Sequence, residues 1–168
     1  MPDDTISKGG ALAAIERERD AWETLLGRIG EARMLEPGVF GEWSFKDLVA
    51  HLNGWDLESL GYLEASALGR EEPAQPWPDG LDDEDAINRW LVAQGRDRLL
   101  GEVIGDSRET FARLAGIVQR LPDDAFADPG RFPTLDGMSL AECIVEGRWF
   151  GHFREEHLPD VERWLSGA

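Results

Sequence analysis

The sequence predicts an all-α fold: a four-helix bundle with an extra short helix and a long crossover connection between its second and third long helices. Three observations carry this. Apolar residues recur at steps of three and four in four long segments. Two of those segments open on capping signatures. No segment alternates apolar and polar residues with period two, so no strand is expected. A chain of 168 residues suits one domain with a real core. Residues 11–168 are read as that domain, behind a polar, flexible segment of residues 1–10.

The first helix is expected from Ala11 to about Arg33, with Leu12, Ile15, Trp22, Leu26 and Ile29 on its inward stripe. Pro37, Gly38 and Gly41 end it as turn residues. The second helix starts at Ser44, where Asp47 three residues on completes a short-carboxylate capping box. Phe45, Val49, Leu52, Leu60 and Leu63 face inward, and Gly69 is the stop. REEPAQPWPDGLDDED, with three prolines and an acid run, reads as a strap across the bundle, with Trp77 pinning it. A short helix follows from Asp83, turning Ile87, Trp90 and Leu91 inward, and breaks near Gly95. The third long helix is expected from about Arg98 to Leu121, on a stripe of Leu100, Val103, Ile104, Phe111, Leu114 and Val118. After the loop LPDDAFADPGRFPTLDG, Ser139 and Glu142 open a fourth helix that is read as continuous to about Trp164.

Composition excludes several functions. The net charge is −17, with 15 Arg and only two Lys, Lys8 and Lys46, and no basic stripe. Such a charge repels phosphate backbones and anionic membrane surfaces, so neither nucleic acid nor membrane is an expected partner. No apolar run approaches the roughly 18 residues a spanning helix needs. The N-terminus has no apolar signal core, so a cytoplasmic location is expected. The single cysteine, Cys143, allows neither an internal disulfide nor a thiolate zinc site, and beside Leu140 and Ile144 it reads as a small core residue.

The chemistry concentrates in three histidines. His51 lies on the second helix, on a line with Trp55, Glu58 and Tyr62; His152 and His157 lie on the fourth, with Glu155 and Glu156 between them. Metal-binding pairs on one helix face are usually four residues apart. At five, an ideal helix sets the two rings about 140° apart. On that geometry His152 pairs with Glu156 instead. Pro159, however, lacks the N–H that an α-helix needs there, and its ring conflicts with the carbonyl of Glu155. A single π turn closes on five residues, and a bulge at 152–157 brings both histidines to one side. Spacing alone leaves two readings open: a metal site, or interhelical hydrogen bonds without metal. HFREEH is one residue too long for the inverted zinc-protease motif, and no other catalytic signature is present.

Together these segments resemble a family. WSFKDLVAHLNGWD is similar to the second-helix signature of the DinB-like bundles, and HFREEHLPDVERWL to their C-terminal His-x-x-x-His region. DAINR at Asp85–Arg89 and the third helix ending in LPDDAF also fit, in the manner of the ClbS/DfsB-like and mycothiol-dependent maleylpyruvate isomerase-like branches. The resemblance implies a DinB/YfiT-like four-helix bundle, often dimeric, with a pocket at one end and a divalent metal, nickel or zinc, on three histidines. His51 and His152 match the first two. The third position falls at 156, where this chain has Glu156, and His157 comes one place late.

The implied ligands are thus His51, His152 and either Glu156 or His157. Whichever of Glu155 and Glu156 is not a ligand would serve as general base or orienting group. Trp55, Tyr62 and Trp149 would line the pocket. The expected protein is a homodimeric hydrolase or thiol-dependent transferase. It would use the metal and a low-molecular-weight thiol on a small electrophilic substrate in stress or detoxification. The alternative is a bundle of the same fold that binds a small molecule without turnover.

Overall fold

The computed structural model describes residues 6–167. Ser7 accepts the Gly10 amide through Oγ at 3.0 Å, and this cap starts α1 (Lys8–Ile29) earlier than the apolar stripe suggests. Of the segment expected to be flexible, residues 1–5 lie outside the described residues, while Lys8, Gly9 and Gly10 are helical. The turn expected after α1 contains two short antiparallel strands, β1 (Pro37–Phe40) and β2 (Trp43–Ser44), pairing Pro37 with Ser44 and Phe40 with Trp43. This corrects the expectation of no strands. Strands of four and two residues are too short to show a period of two.

Ser44 and Asp47 form the expected box at the start of α2 (Phe45–Leu68): the Ser44 amide donates to Asp47 Oδ2 at 3.0 Å, and the Asp47 amide to Ser44 Oγ at 3.1 Å. The strap follows and leads into α3 (Glu84–Arg96), whose Asp83 cap accepts the Ala86 amide. Glycines set how closely α3 lies on α2. A Cβ at Gly54 would stand 2.2 Å from Leu91 Cδ2, and one at Gly95 would stand 2.4 Å from Ala50 Cβ. Next come α4 (Leu100–Arg120) and, inside the segment read as a loop, α5 (Asp123–Ala127), which buries Phe126.

The fourth helix is not continuous. The Ser139–Glu142 box starts α6 (Leu140–Val145), but Gly147 takes a left-handed φ of 78° and ends it. A 3-10 turn (Arg148–Phe150), a π turn (His152–His157) and α7 (Leu158–Ser166) complete the chain's helical course. Four helical rods therefore bundle: α1, α2, α4 and this segmented fourth. One core cluster gathers Ile15, Leu60, Leu114 and Ile144. Another gathers Trp22, Phe45, Val49, Val103 and Val161. Phe45 is fully buried and stacks on Trp22 at 5.7 Å; burying such a ring contributes about 1.5–3 kcal/mol. Among the described residues no helix is long and apolar enough to cross a membrane.

Candidate metal centre and cavity

Pro159 has no amide hydrogen to give, and the backbone ahead of it widens. The Leu158 amide donates to the Phe153 carbonyl, five residues back. The expected bulge is therefore present at His152–His157, and it does what the spacing requires. His157 Nε2 lies 3.2 Å from His152 Nε2, which lies 3.2 Å from His51 Nε2. A ligand atom from each of the three rings falls within 4.8 Å of the others, so this group could hold a metal ion.

Burial fixes the charge of these rings. His51 is only 3 % exposed. Desolvation, then the neighbouring His152 and His157, push its pKa down to about 3, and of the groups acting on it only the Asn88 side chain favours the charged ring. Burial also lowers His152 and His157, against the pull of Glu156 and Glu84 on the former and of Glu156 and Asp160 on the latter. Three neutral imidazoles turning ring nitrogens toward one another are a donor set suited to a borderline divalent cation. Without a cation, each Nε2 contact needs one N–H and one lone pair, and His152 Nε2, which makes both contacts, can offer only one of the two. The donor chemistry thus fits a bound metal.

Of the two carboxylates between the histidines, Glu156 lies 4.0 Å from His152 Nε2 and is largely exposed. Glu155 is exposed and is not part of the cluster. Trp43, on β2, packs its ring 5.3 Å from that of His51. The sequence reading missed it, because the hairpin that carries it has no periodic signal.

A cavity of about 450 Å³ opens between α1, α2, α4 and the fourth rod, and His152 is the histidine it shares with the cluster. Trp149 lines it, together with Trp22, Phe111 and Phe150. Trp55 and Tyr62 do not. Trp55 packs at 4.9 Å on Trp77 of the strap and donates from Nε1 to Asn88 Oδ1, so it backs the His51 side through Asn88. Tyr62 lies in a separate groove with Pro73, Gln75 and Arg113. Both placements have one cause: the α2 line that meets this cavity runs through Val49, Leu52, Asn53 and Asp56, not through Trp55 and Tyr62.

Asp56 was not singled out from the sequence, although a signal exists. It fills the one helical step that the stripe Phe45, Val49, Leu52, Leu60, Leu63 leaves without an apolar residue. Asp56 is half-buried and lines the cavity, and burial alone raises its pKa to about 7. The cavity wall between α1 and the fourth rod is clasped by two ion pairs, Arg154 with Glu18 and Arg28 with Glu162.

The profile of the DinB superfamily matches residues 14–159. The chain belongs to the DinB superfamily. The matched span contains all three histidines and ends on Pro159, so the DinB assignment and the π turn concern the same segment. No curated protein and no solved structure matches the chain.

Proposed function

We propose that this DinB-superfamily chain is a metal-dependent enzyme, a hydrolase or thiol S-transferase, acting on a small electrophilic molecule in stress or detoxification chemistry. One observation carries the reading: three neutral imidazoles converge at 3.2 Å contacts beside a cavity of about 450 Å³. The ligands would be His51, His152 and His157, and the resemblance to ClbS/DfsB-like and maleylpyruvate isomerase-like proteins supports the assignment. A divalent cation there, nickel or zinc as the resemblance implies, would supply Lewis acidity that lowers the pKa of a water or low-molecular-weight thiol.

The chain's own residues do the rest. His51, held between Trp43 and its sister rings, is the rigid member. His152 faces both the cluster and the cavity, so it joins reagent to substrate. Glu156, exposed and 4.0 Å from His152 Nε2, is beyond hydrogen-bond reach of that ring and would act on it through its charge, or on a bound reagent as general base. Glu155 is left without a role by this geometry. Trp149 and Trp22 bound the space for an apolar substrate body. A homodimer in the cytoplasm completes the proposal. Family resemblance supports the dimer, as do Leu57 and Leu68, which are 40 % and 48 % exposed on α2, and light scattering tests it.

The deciding experiment is metal analysis by mass spectrometry of tag-free protein, beside His51→Ala and His152→Ala. About one equivalent in the wild type and almost none in either variant is expected, after which thiol-transfer and hydrolase screens follow. Failure to take up nickel or zinc overturns the metal reading. A second reading, a bundle that binds a small molecule without turnover, draws on the exposure of Glu155 and Glu156: neither is a buried base. Stoichiometric metal with turnover in the screens excludes it.

A further inference from the structure

We propose that the cavity is a binding site for a small amine with an apolar body, its ammonium head held by Asp56. The cavity walls are mostly apolar and aromatic, and Asp56, half-buried on the inner face of α2, is among the residues that line them. One turn before it, Asn53 is only 5 % exposed; its Nδ2 donates to the Val103 carbonyl at 2.9 Å, and its Oδ1 is buried, so the Asp56 carboxylate is the acceptor that a ligand can reach. A partly desolvated carboxylate without a counter-ion is costly. A cation in the cavity satisfies it.

The other charged groups around the cavity do not supply that cation. From α1 come Glu18 and Arg28, from the π turn His152 and Arg154, and from α7 Glu162. Arg154 is paired with Glu18 and Arg28 with Glu162, and burial keeps His152 neutral. The contribution of α4 is neutral: Ser107, whose Oγ donates to Ile104, and Thr110, whose hydroxyl donates to Ser107. Only burial acts on the Asp56 carboxyl; among the described residues no arginine, lysine or histidine stands against it. The volume falls within the range of about 300–1,000 Å³ typical of small-molecule sites, and a net charge of −17 draws cations in preference to anions. This inference goes beyond the proposed function, because binding needs no metal. It rests on that reading only for whatever chemistry follows binding.

The test is a titration of the isolated protein with phenylbutylamine and with phenylbutanol, its uncharged counterpart, followed by calorimetry and by quenching of the tryptophans that line the cavity. The amine is expected to bind at least about tenfold tighter than the alcohol, as a charge-assisted hydrogen bond predicts. Asp56→Asn, of equal size, is expected to abolish that preference. Equal affinities in the wild type, no saturable amine binding, or an unchanged preference in Asp56→Asn each overturn the proposal. The wild-type comparison stands even where the variant fails to fold. Repeating the titration with His51→Ala separates the two readings. The amine preference is expected to survive there whether or not metal is lost. Loss of the preference in a wild type that retains its metal overturns the cavity inference alone.

Discussion

The histidine cluster and the Asp56 cavity sit on adjacent turns of α2, and desolvation acts on both in opposite senses. Burial removes protons from the bases, taking His51 down to about 3. It returns a proton to the acid, taking Asp56 up to about 7. The first region compensates by placing its rings in mutual contact. The second leaves a carboxyl beside the cavity with no counter-ion. Burial that silences charge thus leaves ring nitrogens in mutual contact in one region, and a carboxyl beside open space in the other. The first arrangement suits a cation shared by three nitrogens, the second a ligand that brings its own hydrogens.

The comparison is broken most directly at its metal end. His157→Ala is expected to lower nickel and zinc affinity by more than about 100-fold in a competition titration, against about tenfold or less for Glu156→Gln, the scale of an outer-sphere partner. Equal losses would make Glu156 a ligand and remove His157 from the set.

Stability against pH separates the regions next. Asp56 has a folded pKa of about 7 and an unfolded value near 3.8, so the unfolded chain ionises first. The resulting destabilisation is absent below pH 3.8, grows between 3.8 and 7, and is complete above 7. Asp56→Asn should remove it, stabilising the protein by on the order of 2 kcal/mol above neutrality in urea melts and leaving acid behaviour unchanged. The histidines act in reverse. Their folded pKa values lie below 6.5, so the metal-free protein loses stability as pH falls through 6.5, for His51 on toward 3. His51→Ala should flatten that acid limb and leave the alkaline one.

Smaller effects sharpen the picture. Asn88→Ala, which removes the acceptor of Trp55 and the one group favouring protonated His51, is expected to weaken metal binding by about tenfold with amine binding intact. Glu155→Gln should change stability by less than about 0.5 kcal/mol and leave metal affinity unaltered, since Glu155 is exposed and outside the cluster.

What the sequence revealed follows from which signals are local. The caps at Ser44 and Ser139 were legible because capping is decided within four residues, and both boxes formed. The π turn was legible because a five-residue histidine spacing and Pro159 pointed to one irregularity. The hairpin was not, and Trp43 went with it. That Trp55 and Tyr62 lie off this cavity was not legible, because periodicity fixes which residues share a face but not which of two adjoining faces meets a cavity. The break at Gly147 was illegible for a related reason: a lone glycine inside a helical pattern shows its left-handed φ only in the folded chain.

The π turn has a consequence for chain length. A helix that gains a residue must either rotate everything beyond it by about 100° or absorb the extra residue in one wide loop of backbone. This chain absorbs it, so α7 arrives with Val161 buried and Trp164 beneath the Arg33 guanidinium at 4.5 Å. The extra residue of the wide turn is therefore confined to His152–His157. Deleting Glu155 while replacing Pro159→Ala should return the segment to a plain α-helix, with its histidines four apart on the same face and α7 docked as before. A length change that would scramble most helices should here be nearly silent. Ring positions, rather than residue numbers, are the quantity this segment preserves.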